Sequence, residues 1–155
     1  MINVLFVCYG NICRSPMAEF LFKELLKSKG VSDKFYVESA ATSSGELGNP
    51  VYPPARRILN SLNIDCSKKR AKKITLSDYE KFDYIIGMDG MNVKAMHAFF
   101  GGDKDGKIYK LFDFDLSGTP KDVADPWYTG DFETTKRDII RGLNCFYEHL
   151  FGKGD

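Results

Sequence analysis

Residues 2–16 read INVLFVCYGNICRSP, and this stretch predicts a buried strand, a tight loop and the start of a helix. The run from Ile2 to Val7 is rich in β-branched and bulky apolar residues, which is typical of a parallel strand covered on both faces. Ser15 followed by Pro16 is a helix start signal, with Ser at the cap and Pro at the first helical position. We therefore expect Cys8 to end the strand and its loop to lead directly into a helix.

Strands and helices alternate along the rest of the chain. Apolar spacing and stop signals predict helices up to Gly30, after Pro53-Pro54, through Val93 to His97 and from Phe132 to Leu150. Further strands are predicted at Phe35–Ser39, Phe82–Met88 and Ile108–Phe112, with a long loop at Phe114–Gly130. Such alternation is typical of an α/β fold with right-handed crossovers. We predict one domain over residues 1–155, with a doubly wound parallel four-stranded sheet and helices on both faces.

Composition limits the function classes. The chain has 155 residues, and its 22 Lys and Arg nearly balance 21 Asp and Glu, so it lacks the overall basic charge of most nucleic-acid-binding proteins. It has no apolar run near the roughly 20 residues of a membrane-spanning helix, and residues 1–7 lack the features of a secretory signal. Its four cysteines and two histidines have no metal-site spacing. We expect a cytoplasmic protein that binds no nucleic acid, membrane, metal or cofactor.

The loop from Cys8 to Ser15 has the residue types of a phosphate cradle with its own nucleophile. Gly10 and Asn11 tolerate the positive φ that a tight loop requires, so successive backbone N–H groups can turn towards an anion at the helix N-terminus. Arg14 offers a planar pair of donors suited to two phosphate oxygens, and these positive surroundings favour the thiolate of Cys8. In the alternative reading Cys8 is a core thiol and Arg14 a helix-end charge. The strand–loop–helix context favours the phosphate site.

A thiolate that attacks a phosphate ester expels an oxygen that needs a proton, so a general acid is expected on another loop at the same sheet edge. Residues 125–128 read DPWY. Asp125 is the candidate acid, Pro126 stiffens the chain beside it, and the rings of Trp127 and Tyr128 can wall a crevice for an aryl group. The alternative is an ordinary turn in which Asp125 caps a helix. Together with the Cys8 loop, the pattern favours the catalytic reading.

Four segments resemble low-molecular-weight protein tyrosine phosphatases: VLFVCYGNICRSPMAE at 4–19, ESAA at 38–41, FDYIIGMD at 82–89 and DPWY at 125–128. The Cys-x5-Arg-Ser motif also occurs in unrelated phosphatases, whereas its combination with a later Asp-Pro-aromatic-Tyr is specific to this family. The resemblance implies a flavodoxin-like (phosphotyrosine phosphatase I-like) fold. It also implies an enzyme that hydrolyses phosphotyrosine in proteins, or small aryl phosphates, without a metal ion or other cofactor.

The resemblance further implies catalytic roles. Cys8 would be the nucleophile and form a phosphocysteine, and Arg14 would bind the phosphoryl group. Asp125 would protonate the leaving oxygen and then activate the water that hydrolyses the intermediate. Ser15 would hydrogen-bond the sulfur of Cys8 and stabilise it as nucleophile and leaving group.

Supporting and substrate-binding roles follow from the same resemblance. Asn11 would hold the loop in its shape through a bond to Ser39, and Cys13 would form a reversible disulfide with Cys8 under oxidation. The phosphate would be bound by Tyr9, Gly10, Asn11, Ile12, Cys13 and Arg14. The substrate crevice would be lined by Tyr9, Ile12, Gly45, Trp127 and Tyr128.

The sequence departs from the family pattern at four positions. Tyr9 stands where many relatives have Leu, and Trp127 where Tyr is frequent. The region around Gly45 lacks an aromatic residue that several relatives carry. Lys69 occupies the position of a histidine that commonly helps to brace the loop asparagine. We expect a different bracing network and an altered crevice wall.

Three other functions are weighed against this one. An arsenate reductase shares the fold and loop but needs further cysteines near the third strand, and none lies between Asp78 and Ile108. A protein arginine phosphatase has Thr at the position of Ile12, whose apolar side chain instead favours a phenyl ring. A phosphate-binding or phosphocarrier module lacks the loop arginine and the later acid. We therefore expect a tyrosine phosphatase, either monomeric or weakly self-associated through Trp127 and Tyr128.

The run SKKRAKK at residues 67–73 is strongly basic. A charge run of this kind predicts a solvated face, and the alternative is a patch that attracts acidic phosphopeptides. Asp89, at the end of the third predicted strand, is expected to cap the next helix and brace the site without itself taking part in catalysis.

Overall fold

The computed structural model describes residues 1–118 and 121–152. Its sheet has four strands in these residues: β1 Ile2–Cys8, β2 Phe35–Ala41, β3 Tyr84–Gly87 and β4 Ile108–Lys110. Neighbouring strands are parallel, and their order is β2-β1-β3-β4. The chain leaves β1 for β2 on one side and later returns to β3 on the other. Strand order therefore reverses at β1, and ligands in open α/β sheets bind beyond the carboxyl end of such a reversal.

Six helices accompany the sheet in the described residues: α1 Arg14–Ser28, α2 Pro53–Ser61, α3 Asp78–Lys81, α4 Gly90–Phe100, α5 Pro126–Thr129 and α6 Phe132–Phe151. Across residues 1–118 and 121–152, none of the helices combines the length and apolar character that crossing a membrane requires.

The side chains of β1 point alternately into two cores, one on each face of the sheet. Phe6 packs with Phe22 of α1 and Phe146 of α6, and the ring centroids of Phe22 and Phe146 lie 5.3 Å apart. Leu5 packs in the second core with Met96 of α4. All five side chains are fully buried, and truncating a phenylalanine in such a core costs about 3–5 kcal/mol. The predicted parallel sheet with helices on both faces is confirmed.

The fourth strand is shorter than predicted. β4 ends at Lys110 instead of Phe112, and Leu111–Phe114 forms a 3-10 turn. The N–H of Lys110 donates to Asp113 Oδ2 at 2.8 Å, which closes the chain into that turn. Leu111 then packs against Gly142 of α6, where an added Cβ would lie 2.5 Å from Leu111 Cγ. The apolar run therefore fills a contact with α6 instead of extending the strand.

The start of α1 also differs from the prediction. The helix begins at Arg14, with Cys13 at the cap position and no side-chain cap bond. Ser15 is not the cap, because its hydroxyl lies 3.0 Å from the sulfur of Cys8. The residue that resembled a helix cap in sequence thus faces the predicted nucleophile.

The segment predicted as a long loop, Phe114–Gly130, contains the short helix α5; residues 119 and 120 of this segment lie outside the described ones. Asp125 caps α5 by accepting a hydrogen bond from the N–H of Trp127 at 3.0 Å. Pro126 takes the first helical position, where its missing N–H has no cost. Gly130 ends the helix in the left-handed region, at φ 71°.

Candidate active site

The sulfur of Cys8 lies at the floor of the loop between β1 and α1. The N–H groups of Asn11 and Ser15 donate to Sγ at 3.3 and 3.4 Å, and the Ser15 hydroxyl is 3.0 Å away. Asn11 adopts φ 59°, the left-handed conformation that asparagine tolerates better than most residues. Three polar groups thus converge on one sulfur beside the N-terminus of α1.

The side chain of Asn11 fixes the shape of this loop. Its Nδ2 donates to the Ser15 hydroxyl at 2.8 Å and to the Ser39 hydroxyl at 2.9 Å. Its Oδ1 accepts the N–H of Lys72 at 3.1 Å. The structure therefore brings Asn11 and Ser39 together, and it ties the loop to both β2 and the basic run.

A buried ion pair supports Ser39 from behind. The Ser39 hydroxyl donates to Glu19 Oε1 at 2.6 Å, and Glu19 is 4% exposed. Lys69 Nζ lies 3.3 Å from the same Oε1 and donates to the carbonyl oxygen of Ser39 at 2.8 Å. Lys23 binds the other carboxylate oxygen at 2.7 Å. Lys69 therefore supports the loop through Glu19 and Ser39, and this is the different bracing network that the sequence led us to expect.

The prediction of a solvated face at residues 67–73 is wrong for part of the run. Ala71 is buried, and burial lowers the pKa of Lys69, an effect that the carboxylate of Glu19 partly opposes. The cause lies in long-range pairing, because residues 70 and 73 form bridges to segments on either side of the loop that follows β2. Two of the exposed lysines of the run are also engaged: Lys72 pairs with Glu38 at 2.7 Å, and Lys73 Nζ lies 5.2 Å from the ring centroid of Phe99.

The guanidinium of Arg14 joins three segments of the chain. Its Nη1 donates to Asp89 Oδ2 at 2.7 Å and to the carbonyl of Val123 at 3.4 Å, and its Nη2 donates to Asp125 Oδ2 at 3.3 Å. Burial opposes its charge, but Cys8, Asp89 and Asp125 together raise the pKa of Arg14 above the ordinary value. The predicted phosphate-binding residue is thus held charged and in place before any ligand arrives.

Asp89 and Asp125 each belong to a helix start as well as to the site. Asp89 caps α4 by accepting from the N–H of Asn92 at 2.7 Å, in agreement with the expectation for this residue. Asp125 caps α5 and also reaches Arg14. Asp125 is therefore a helix cap, one of the two alternatives in the sequence, and its carboxylate also contacts Arg14, while its catalytic role stays a prediction.

An open crevice of about 670 Å³ leads down to Cys8. Its wall contains the predicted Tyr9, Ile12, Gly45, Trp127 and Tyr128. Tyr9, Trp127 and Tyr128 are well exposed, and Trp127 leans on Tyr52 with 5.3 Å between ring centroids. The crevice therefore offers flat apolar surfaces above a polar floor.

Five residues at the candidate site were not predicted as site residues. Ser43, Glu46, Met91 and Asn92 line the crevice, and Glu19 anchors the support of Ser39. From the sequence Glu19 was expected only to complement the helix dipole in the first turns of α1, and its position one helical turn beyond Ser15 places it near the loop. Glu46 and Met91 carried no sequence signal, because their place depends on how distant loops meet.

Cys13 lines the same crevice as Cys8 and is itself buried. Burial, followed by the charges of Cys8 and Asp125, raises the pKa of Cys13 to about 12. At neutral pH Cys13 is therefore a neutral thiol, which is a poor nucleophile.

Comparison with known proteins agrees with this geometry. The family model described as "Low molecular weight phosphotyrosine protein phosphatase" matches residues 3–153. The chain belongs to this family. In sequence it is 40% identical over 142 residues to the low molecular weight protein-tyrosine-phosphatase YfkJ of Bacillus subtilis, with 92% of this chain and 91% of the relative covered.

Solved structures of the family superpose closely on this member. The crystal structure of YfkJ from Bacillus subtilis gives a TM-score of 0.93 at 35% identity, covering 100% of this chain and 98% of the other. SP-PTP, a low molecular weight protein tyrosine phosphatase from Streptococcus pyogenes, gives 0.87 at 42% identity, with coverage of 99% and 95%. A structure of the YwlE arginine phosphatase gives 0.83 at 27% identity, with coverage of 99% and 98%. Proteins with this fold thus include one described as a tyrosine phosphatase and one described as an arginine phosphatase.

Proposed function

We propose that this enzyme hydrolyses phosphotyrosine through a covalent phosphocysteine on Cys8. One observation carries the proposal: the Cys8 sulfur, the Arg14 guanidinium and the Asp125 carboxylate meet at the floor of one crevice, with Arg14 bonded to Asp125 at 3.3 Å. A nucleophile, a phosphate-binding cation and an acid are the groups that phosphate ester cleavage through a thiolate requires.

In the first step the phosphoryl group binds between the inward N–H groups of the loop and Arg14. Asp89 holds Nη1 of Arg14 at 2.7 Å, which fixes the guanidinium beside the loop, and Nη2 lies 3.3 Å from Asp125 Oδ2. The thiolate of Cys8 forms the S–P bond as the bond from phosphorus to the tyrosine oxygen breaks. Protonated Asp125 gives its proton to that oxygen, and neutral tyrosine leaves.

In the second step water attacks the phosphocysteine. The carboxylate of Asp125 takes a proton from the water, the S–P bond breaks, and inorganic phosphate and the Cys8 thiolate are formed. The Ser15 hydroxyl, 3.0 Å from Sγ, stabilises the leaving thiolate by donating to it. Arg14 and the backbone amides supply the positive charge in both steps, so the reaction needs no metal ion or cofactor.

The crevice wall supports an aryl substrate. Tyr9, Trp127 and Tyr128 present exposed rings, and Ile12 adds an apolar contact beside the loop. Phosphotyrosine in proteins and small aryl phosphates are the proposed substrates, and the cytoplasm is the proposed location. Phosphoarginine is the second candidate, because one structural neighbour is described as an arginine phosphatase.

Turnover of p-nitrophenyl phosphate and of matched phosphotyrosine and phosphoarginine peptides tests the proposal. We expect Cys8→Ser to abolish turnover and Asp125→Ala to slow hydrolysis of the phosphotyrosine peptide about 10²–10⁴-fold. Cys145→Ser on α6 is the matched control and should behave as the wild type. Undiminished activity in Cys8→Ser would refute the mechanism, and faster hydrolysis of phosphoarginine would replace the proposed substrate.

Oxidation is proposed to stop the enzyme reversibly. Peroxide converts the Cys8 thiolate to a sulfenic acid, and the Cys13 thiol then displaces water to form a disulfide. The neutral thiol of Cys13 suits this second role, since its raised pKa keeps it from reacting first. Mass spectrometry after mild peroxide should detect a Cys8–Cys13 disulfide, and a sulfinic acid on Cys8 in its place would contradict the proposal.

A further inference from the structure

Glu46 is a charged residue of the crevice wall that the proposed reaction does not use. The charged side chains that line the crevice in the described residues are Arg14, Glu46, Asp89 and Asp125. Arg14 is bonded to Asp89 and Asp125. The hydrogen bond that the structure gives Glu46 comes from the neutral side-chain amide of Asn49, and no described cation pairs with it. Its negative charge therefore remains uncompensated at the crevice.

The stem of Glu46 lies against the phosphate loop. A Cβ added at Gly10 would lie 3.4 Å from Glu46 Cγ, which is van der Waals contact distance and places the stem of Glu46 next to the loop. The charge is also felt inside the loop, because Glu46 contributes, after burial and nearer charges, to the raised pKa of Cys13. Glu46 therefore belongs to the crevice wall that residues next to a bound phosphotyrosine would face.

The basic run does not offset this charge in the crevice. Lys69 faces Glu19, Lys72 pairs with Glu38, and Lys73 lies over Phe99. None of these lysines lines the crevice. In the described residues the basic run therefore adds no positive charge to the lining of the crevice.

We propose that Glu46 makes this enzyme prefer phosphotyrosine flanked by lysine or arginine over phosphotyrosine flanked by aspartate or glutamate. The inference rests on the proposed function, since it concerns the residues next to the hydrolysed phosphotyrosine. Two unit charges about 7 Å apart in water, one on Glu46 and one on the peptide, change the binding affinity of the peptide about threefold. A basic neighbour gains that factor and an acidic one loses it, so their kcat/KM values should differ about tenfold.

The experiment compares phosphotyrosine peptides that differ only in the neighbouring residue, which is Lys, Gln or Glu. Wild type, Glu46→Gln, Glu46→Lys and the control Glu24→Gln are assayed, with p-nitrophenyl phosphate as a substrate without neighbours. Glu24 is an exposed carboxylate of α1 that does not line the crevice. We expect the Lys-to-Glu ratio of kcat/KM to fall to about one in Glu46→Gln, to invert in Glu46→Lys and to persist in Glu24→Gln.

Ionic strength provides a second readout. The preference should shrink from low salt to 1 M salt, where the Debye length is about 3 Å. If the Lys-to-Glu ratio of kcat/KM is equal in wild type and Glu46→Gln, while both turn over p-nitrophenyl phosphate normally, the role of Glu46 is refuted and the proposed function still stands. Failure to hydrolyse any of the phosphotyrosine peptides overturns the proposed function and the inference with it.

Discussion

Replacing Lys69 with methionine tests the network that supports the phosphate loop. The side chain of Lys69 is 11% exposed, and Nζ lies 3.3 Å from Glu19 Oε1. The same atom donates to the Ser39 carbonyl at 2.8 Å. Methionine keeps an unbranched side chain but removes the charge and both contacts. Glu19 then keeps Lys23 at 2.7 Å and the Ser39 hydroxyl at 2.6 Å.

The expected loss of stability follows from what remains around Glu19. Removing one partner of a buried ion pair costs about 3–5 kcal/mol when the other charge is left alone. Glu19 is not left alone, and the lowered pKa of Lys69 shows that burial already weakens its charged form. We therefore expect the free energy of unfolding to fall by about 1–3 kcal/mol, the usual cost of an unmade buried hydrogen bond.

Lys73→Met is the matched control from the same basic run. Lys73 is exposed and lies over Phe99, so its loss should cost at most about 0.5–1 kcal/mol. Urea unfolding at pH 7 measures both variants, and turnover of p-nitrophenyl phosphate shows whether the loop is disturbed. We expect a lower kcat in Lys69→Met than in Lys73→Met. Equal unfolding free energies together with equal kcat values would refute the bracing role of Lys69.

Three further changes probe other parts of the molecule. With the pKa of Cys13 at about 12, iodoacetamide at pH 8 should modify Cys8 and spare Cys13, as read by peptide mass spectrometry; rapid labelling of both contradicts this. Hydrogen bonds from Arg141 and Ser117 lower the pKa of Asp115 to about 2, below the 3.8 of the unfolded chain. The stabilising effect of ionised Asp115 is therefore complete above about pH 4 and is lost towards pH 2. The Tm difference between wild type and Asp115→Asn should narrow as the pH falls over this range. A Tm difference that stays constant would count against this role of Asp115. Gly142→Ala should lower the free energy of unfolding by about 1–3 kcal/mol through overlap with Leu111, whereas an unchanged urea midpoint would mean that α6 shifts freely.

The sequence was most informative where the signal is local. The apolar run of β1, the positive-φ residue Asn11 and the helix after the loop occupy consecutive positions, so their geometry follows from neighbouring residues alone. The order of strands and helices was equally readable, and β2 and β3 differ from their predicted bounds by two residues or fewer at each end. The pairing of Asn11 with Ser39 came from the family resemblance, and the structure places the two in contact.

The features that were missed depend on contacts between distant segments. Ser15 resembled a cap, but the sulfur of Cys8 competes for its hydroxyl. Lys69 resembled a surface charge, but bridges from the neighbouring residues 70 and 73 turn it inward. Glu46 lies in the loop after β2, and its contact with Gly10 depends on the pairing of β1 with β2. The pattern of charge and hydropathy along the chain does not predict such long-range contacts.

The contacts of Arg14 bear on when the protein becomes an enzyme during its synthesis. Its two carboxylate partners are separated from it by 75 and 111 positions. The loop itself is shaped by the bonds of Asn11 to Ser39 and Lys72, so it too depends on residues that are made later. During synthesis the complete cluster around Arg14 can therefore form only after residue 125 has left the ribosome, and a segment that ends earlier is expected to lack it.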